Sequence, residues 1–134
     1  MNYWLVKTEP ETFSWDDLVR DKKTVWDGVR NFQARSNLKS MKKDDIVFIY
    51  HTGDEKSVIG LAKIVKEAYP DPKDKDWVVV EISADKKLKK PISLAQIKST
   101  KKLSNMVLVK ASRLSVQPVR PDEFALVIEL SEGK

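Results

Sequence analysis

An α+β fold, a curled or barrel-like mixed sheet flanked by short helices, is predicted by three features of this 134-residue chain. Runs dense in β-branched and aromatic residues crowd the middle, at Ile46–Tyr50, Val58–Val65 and Trp77–Ser83. Helical patterns fall near the ends and in the crossovers instead. No internal repeat, low-complexity tract or linker interrupts the sequence, so residues 1–134 read as one domain, long enough to bury a core.

The elements follow in order. Tyr3–Lys7 is a short aromatic and aliphatic run, read as a strand that Thr8, Glu9 and Pro10 end. Ser14 has the character of a helix N-cap, with Asp16 and Asp17 in the first turn, where the helix dipole favours them. That helix is expected to run to about Lys22. Val25–Gly28 reads as irregular, and a short helix is expected around Asn31–Leu38. Met41–Asp45 is a turn before the strand at Ile46–Tyr50, which His51–Asp54 closes as a loop. Gly60 inside the next run points to a bulge or to close approach by another group. Tyr69–Pro72 is expected to stop that strand, and Ile92–Ser99 to form a short helix. Leu103–Leu108 fits neither pattern clearly, and Ser112–Val119 reads as extended. After Pro121, the stretch DEFALVIEL is amphipathic, offering Phe124, Leu126, Val127 and Leu130 to the core.

Composition excludes several chemistries. With no cysteine there is no disulfide, zinc ribbon or thiol nucleophile. A lone histidine, His51, cannot build a metal site, and the four scattered glycines form no phosphate loop. Neither catalytic nor metal-binding residues are assigned, no cofactor is expected, and enzymatic function is unsupported. The N-terminal stretch lacks the basic head and apolar middle of a leader, and the apolar runs are too short to cross a bilayer. A soluble, cytoplasmic protein is the expectation, with no membrane partner.

The net charge of +5 is unevenly spread. Arg20–Lys43 carries eight Lys/Arg against two Asp, and Lys86–Lys102 carries seven Lys and no acid. Two basic patches on an otherwise acidic body favour a polyanionic partner. Solubilising surface lysine is the alternative reading of these patches.

The densest chemistry lies in VWDGVRNFQARSNL, residues 25–38. In order along the chain, YWLVKTEP (3–10), WDDL (15–18), WDGVRNFQAR (26–35), YHTG (50–53), EAYPDP (67–72) and SRLSVQPV (112–119) together resemble the EVE domain family, from Tyr3 to about Leu130. The resemblance implies a PUA-like fold related to the YTH readers of methylated RNA. It also implies a non-catalytic role: binding a nucleotide with a modified base, in DNA or RNA, within a concave aromatic pocket. The chain departs from the family's usual residues at Thr8, Phe32, Ser36 and Thr52, where serine, tyrosine, asparagine and serine are common.

The side chains themselves fit such a task. Stacking a base on an indole is worth about 1–3 kcal/mol, and the base must first leave its own stack, as a single strand or a flipped nucleotide. Trp26 is the expected stacking surface, with Gly28 letting the loop come close and Asn31 reading a base edge. Arg30, Arg35, Lys39 and Lys7 are the expected phosphate contacts. Trp4 and Thr8 are expected as pocket neighbours, with His51 and Thr52 at another strand end and Tyr69 and Asp71 as a second wall. His51 is as readily structural as ligand-binding. Trp15 and Trp77 read as core. An opposing interpretation makes Trp26 the plug of a barrel end, with Arg30 and Asn31 capping a helix. The functional alternative is a general PUA-type module on transfer or ribosomal RNA, without readout of a modification.

Overall fold

A computed structural model describes residues 1–133. Six strands form one mixed sheet: β1 (Tyr3–Thr8), β2 (Lys23–Trp26), β3 (Ile46–His51), β4 (Ser57–Asp71), β5 (Asp74–Ser93) and β6 (Val116–Val119), in the order β2-β5-β4-β3-β1-β6. Only the β1–β3 pairing is parallel; the other neighbours are antiparallel.

Alternation along the strands sends side chains to two faces. Trp4, Val6, Val47, Ile49, Ile64, Val80 and Ile82 share one buried cluster, and Leu5, Phe48, Tyr50, Leu61, Leu88 and Ile92 share the other. The first face is covered by α1 (Trp15–Asp21) through Trp15 and Leu18, and by α2 (Phe32–Ser40) through Ala34 and Leu38. The second is covered by α3 (Leu94–Ser99), α4 (Val107–Lys110) and α5 (Pro121–Ser131), through Ile97, Leu108 and Val127. Burial on both sides explains why β3 is buried at every position and apolar from Ile46 to Tyr50 rather than alternating. No helix among the described residues is long and apolar enough to cross a membrane.

Helix ends obey local chemistry. Ser14 accepts from the Asp17 N–H, and the Asp17 carboxylate accepts from the Ser14 N–H, so α1 begins with a capping box. Pro121 opens α5, and Glu123 accepts from the Arg120 N–H.

Long-range pairing overrides the expected boundaries elsewhere. Lys23–Trp26 is an edge strand rather than irregular, because Thr24 and Val25 pair with Ile82 and Glu81 of β5. β4 continues through Tyr69 and Pro70 to Asp71, and β5 extends through the lysine-rich stretch to Ser93. The third helix therefore starts later than expected, at Leu94, capped by the Ser93 hydroxyl. Lys101–Leu103 is a 3-10 turn leading to α4, and only Val116–Val119 of the last extended stretch is strand.

Gly60 is where the sheet must be thin. The register slips between Val58 and Gly60, and the Trp15 indole lies against the glycine so closely that a Cβ would fall 2.7 Å from its ring carbons. Trp15 is 3% exposed and has no room to retreat. Gly60→Ala is expected to destabilise the fold by about 1–3 kcal/mol through overpacking, measured as a lower urea midpoint at unchanged m-value. A near-neutral result would mean that the indole moves freely.

Candidate functional site

The curl of the sheet brings its outer strands to one place. The end of β2, the end of β1 and Ser115 just before β6 surround a cleft of about 660 Å³, within the range of about 300–1,000 Å³ common for small-ligand sites. The Lys7 N–H donates to the Ser115 carbonyl, which fixes two of these walls together. The third wall is the segment from Thr24 to Arg30, where Gly28 turns the chain at φ +77°. Such a left-handed turn suits a residue without a side chain.

Trp26 lines the cleft but is only 8% exposed, so it offers the cleft a narrow strip of surface while most of the residue packs in the core. Phe13 completes the aromatic wall, edge-on to Trp26 at 6.2 Å between centroids. A tight turn sets Phe13 there. Its N–H donates to the Glu9 carbonyl, and its own carbonyl accepts from the Thr8 hydroxyl at 2.6 Å. The polar rim includes Lys7, Glu9, Thr24, Asp27 and Arg30.

Of the residues singled out in the sequence, Trp26, Thr8, Lys7 and Arg30 meet at this cleft. Burial lowers the Lys7 ammonium pKa, and its Nζ donates to the Ser112 carbonyl. Thr52 lies beyond Thr8, lining a neighbouring depression and donating through its N–H to the Thr8 carbonyl.

Other residues stand elsewhere. Trp4 is not a pocket neighbour: it is 6% exposed, and its Nε1 donates to Asp45 at 2.9 Å. His51 is not available to a ligand. Its Nε2 accepts from the first helical N–H of α1, at Trp15, and the opposite ring nitrogen faces Glu55 at 3.1 Å. That pattern puts the ring proton on Nδ1. Tyr69 forms no wall of the cleft; its hydroxyl donates to Glu81 at 2.7 Å under the Lys66 ammonium. Asn31 caps α2, its Oδ1 accepting from the Ala34 N–H, and borders a separate shallow depression. Lys39 is exposed in the last turn of α2, away from the cleft lining.

Asp71 contributes indirectly. Its carboxylate is held below the usual range by the Lys73 backbone N–H and then by Arg30, whose Nη2 lies 3.2 Å away. The ion pair anchors Arg30 at the cleft mouth. Arg35 donates to the Asp76 carbonyl and lies beside Phe32 and Trp77. Trp77 is not core but half-buried at the surface, stacked on Phe32, because β5 carries it past the edge of the packed layer. The second basic patch lies on the later part of β5, α3 and the following turn, which cover the opposite face of the sheet.

Sequence reasoning missed Glu9, Phe13, Thr24, Asp27 and Ser115. Only Phe13 carried a signal: an apolar residue directly before a capping-box serine is a common device for fixing a helix entry.

The comparisons with known proteins converge. The family model described as EVE domain matches residues 2–130. Thymocyte nuclear protein 1 of Homo sapiens is 38% identical, the match covering 98% of this chain and 74% of that protein. Among solved structures, a Rhodopseudomonas palustris protein determined by NMR superposes with a TM-score of 0.94 at 44% identity, covering 98% of this chain and 94% of that one. Human THYN1, crystallised in complex with 5-methylcytosine containing DNA, gives a TM-score of 0.94 at 35% identity, covering 100% and 99%. An ASCH protein from Zymomonas mobilis, 16% identical with a TM-score of 0.59 over 96% of this chain and 95% of that one, shares the fold. The expectation of a cytoplasmic location is overturned, because the curated relatives are named as nuclear. The absence of cysteine is compatible with a nuclear as well as a cytosolic setting and does not choose between them. On a match over nearly its whole length, the chain belongs to the EVE domain family.

Proposed function

We propose that the chain is a non-catalytic nucleic-acid reader that admits one modified, extrahelical base to the cleft beside Trp26 and Phe13. The observation that carries this reading is the pairing of an aromatic wall with a mixed polar rim in a cleft large enough for a nucleotide. The human relative crystallised with 5-methylcytosine containing DNA supports it. The base slides along the Trp26 strip and the edge of Phe13, and loses water from both faces. The Asp27 carboxylate accepts from the exocyclic amine of a cytosine-type base, a pairing that a carboxylate makes with C rather than T. Lys7 and Arg30 meet the flanking phosphates, and the lowered Lys7 pKa leaves its ammonium readily stabilised by an incoming anion.

A methyl group entering an apolar slot gains about 0.8 kcal/mol, so a 5-methylcytosine strand should bind about fourfold tighter than its cytosine counterpart. Fluorescence anisotropy on matched oligonucleotides, single-stranded and duplex, at two salt concentrations measures this. Affinity should fall steeply with salt. Equal affinity for the two bases removes the modification readout, and no binding at low salt removes the nucleic-acid reading altogether.

A further inference from the structure

Among the described residues Phe32 is the one aromatic of the exposed large hydrophobics, with 70% of its surface open to solvent. It opens α2 and stacks on Trp77 of β5, with 5.4 Å between ring centroids and 23° between planes. Two guanidinium groups close around the pair. Arg35 Cζ lies 4.8 Å from the Phe32 centroid and 5.1 Å from that of Trp77, and Arg30 Cζ lies 5.5 Å from Trp77. Arg30 also lines the cleft. The platform and the cleft therefore share a residue and form one continuous surface.

An exposed phenyl ring beside arginine is costly to leave wet, and its chemistry is specific. Planar, cationic and aromatic groups together complement a strand that offers a flat heterocycle and a phosphate at every step. We infer that Phe32, backed by Trp77 and flanked by Arg30 and Arg35, is a second stacking site, which holds the base adjacent to the one in the cleft. This inference rests on the cleft reading for its strand polarity alone; the platform's own affinity is separable. Its neighbour Arg35 is held in place through the Asp76 carbonyl, so the guanidinium is already oriented when the strand arrives. Stacking without edge contacts makes this site indifferent to sequence, in contrast to the cleft.

The test uses Phe32→Ala, Phe32→Leu and Phe32→Tyr on the full chain, with two probes: 5-methyl-deoxycytidine monophosphate and a single-stranded oligonucleotide containing 5-methylcytosine. Phe32→Ala and Phe32→Leu are expected to weaken oligonucleotide binding roughly 5- to 100-fold. They should leave mononucleotide binding and the melting temperature unchanged, and Phe32→Tyr should restore the oligonucleotide. Unchanged oligonucleotide affinity in Phe32→Ala overturns the inference while leaving the cleft reading intact. A joint loss of both probes with a lowered melting temperature also overturns it, since the ring is then only a brace between α2 and β5. If the wild type ignores the mononucleotide yet the Phe32 variants lose the oligonucleotide, the cleft reading fails and the platform stands.

Discussion

Asp45→Ala is expected to cost about 3 kcal/mol or more, because it orphans three donors at once. The Asp45 side chain is 3% exposed and accepts from the Trp4 indole N–H at 2.9 Å, the Asn2 N–H at 3.0 Å and the Lys42 N–H at 3.0 Å. It thereby ties the start of β1 to the turn that launches β3, the two strands of the parallel pair. Burial alone would raise the carboxyl pKa, but the Trp4, Lys42 and Asn2 donors outweigh it and the net displacement is downward. The sign for stability follows. A carboxyl depressed in the folded state stabilises above the unfolded value of about 3.9, and the contribution fades as pH falls through the lower folded value. Resistance of the wild type to urea should therefore fall below about pH 4. Asp45→Asn should be less stable at neutral pH and should show a flatter profile in that acidic window. An Asp45→Ala variant within about 0.5 kcal/mol of wild type would mean that water replaces the carboxylate without loss.

This clamp was invisible in the sequence, as were other features built from distant partners. Asp45 and Trp4 are 41 residues apart, and alternation shows that Tyr3 and Trp4 point oppositely without showing which faces a ligand. By contrast β3 could be read locally, since Ile46–Tyr50 consists of β-branched and aromatic residues and is buried on both faces. The lysine-rich end of β5 could not. Its strand character comes from pairing, with Lys86 opposite Leu61 and Lys87 opposite Gly60, rather than from residues that favour extended backbone. Pro70 misled for a related reason: it sits near the hairpin end opposite Val78, where a missing donor is tolerated.

The candidate site divides along the same line. Asn31 could be read either as an edge reader or as a cap, and the local geometry makes it the cap of α2. Trp26, at the end of β2, and Gly28, in the turn after it, both line the cleft, and their closeness in sequence is what made the stretch conspicuous. Phe32 opens the helix, yet α2 buries Ala34 and Leu38 and leaves that first ring outside. The helix face, not the composition, decides it.

Trp26→Ala should have two separable consequences, and their separation decides what the indole is for. Trp26 belongs to the buried cluster and packs edge-on with Phe13, so truncation is expected to cost about 3–5 kcal/mol of stability. Trp15 supplies a matched control. It lies in the same cluster, is 3% exposed, packs on Gly60 and does not itself line the cleft. Trp15→Ala should therefore lose comparable stability. Binding of a 5-methylcytosine oligonucleotide, measured at low temperature and corrected for the folded fraction from urea curves, should then distinguish them. The Trp26 variant should bind roughly 5- to 100-fold more weakly, the value of one base-stacking contact. The Trp15 variant should stay within about twofold of wild type, because Trp15 contributes no surface to the cleft. If both variants bind in simple proportion to the protein that remains folded, Trp26 is a core plug at the end of the sheet and the aromatic wall of the cleft reduces to Phe13. If only Trp26→Ala falls below that line, the strip of Trp26 left uncovered at the cleft is the part of the residue that the fold reserves for a ligand.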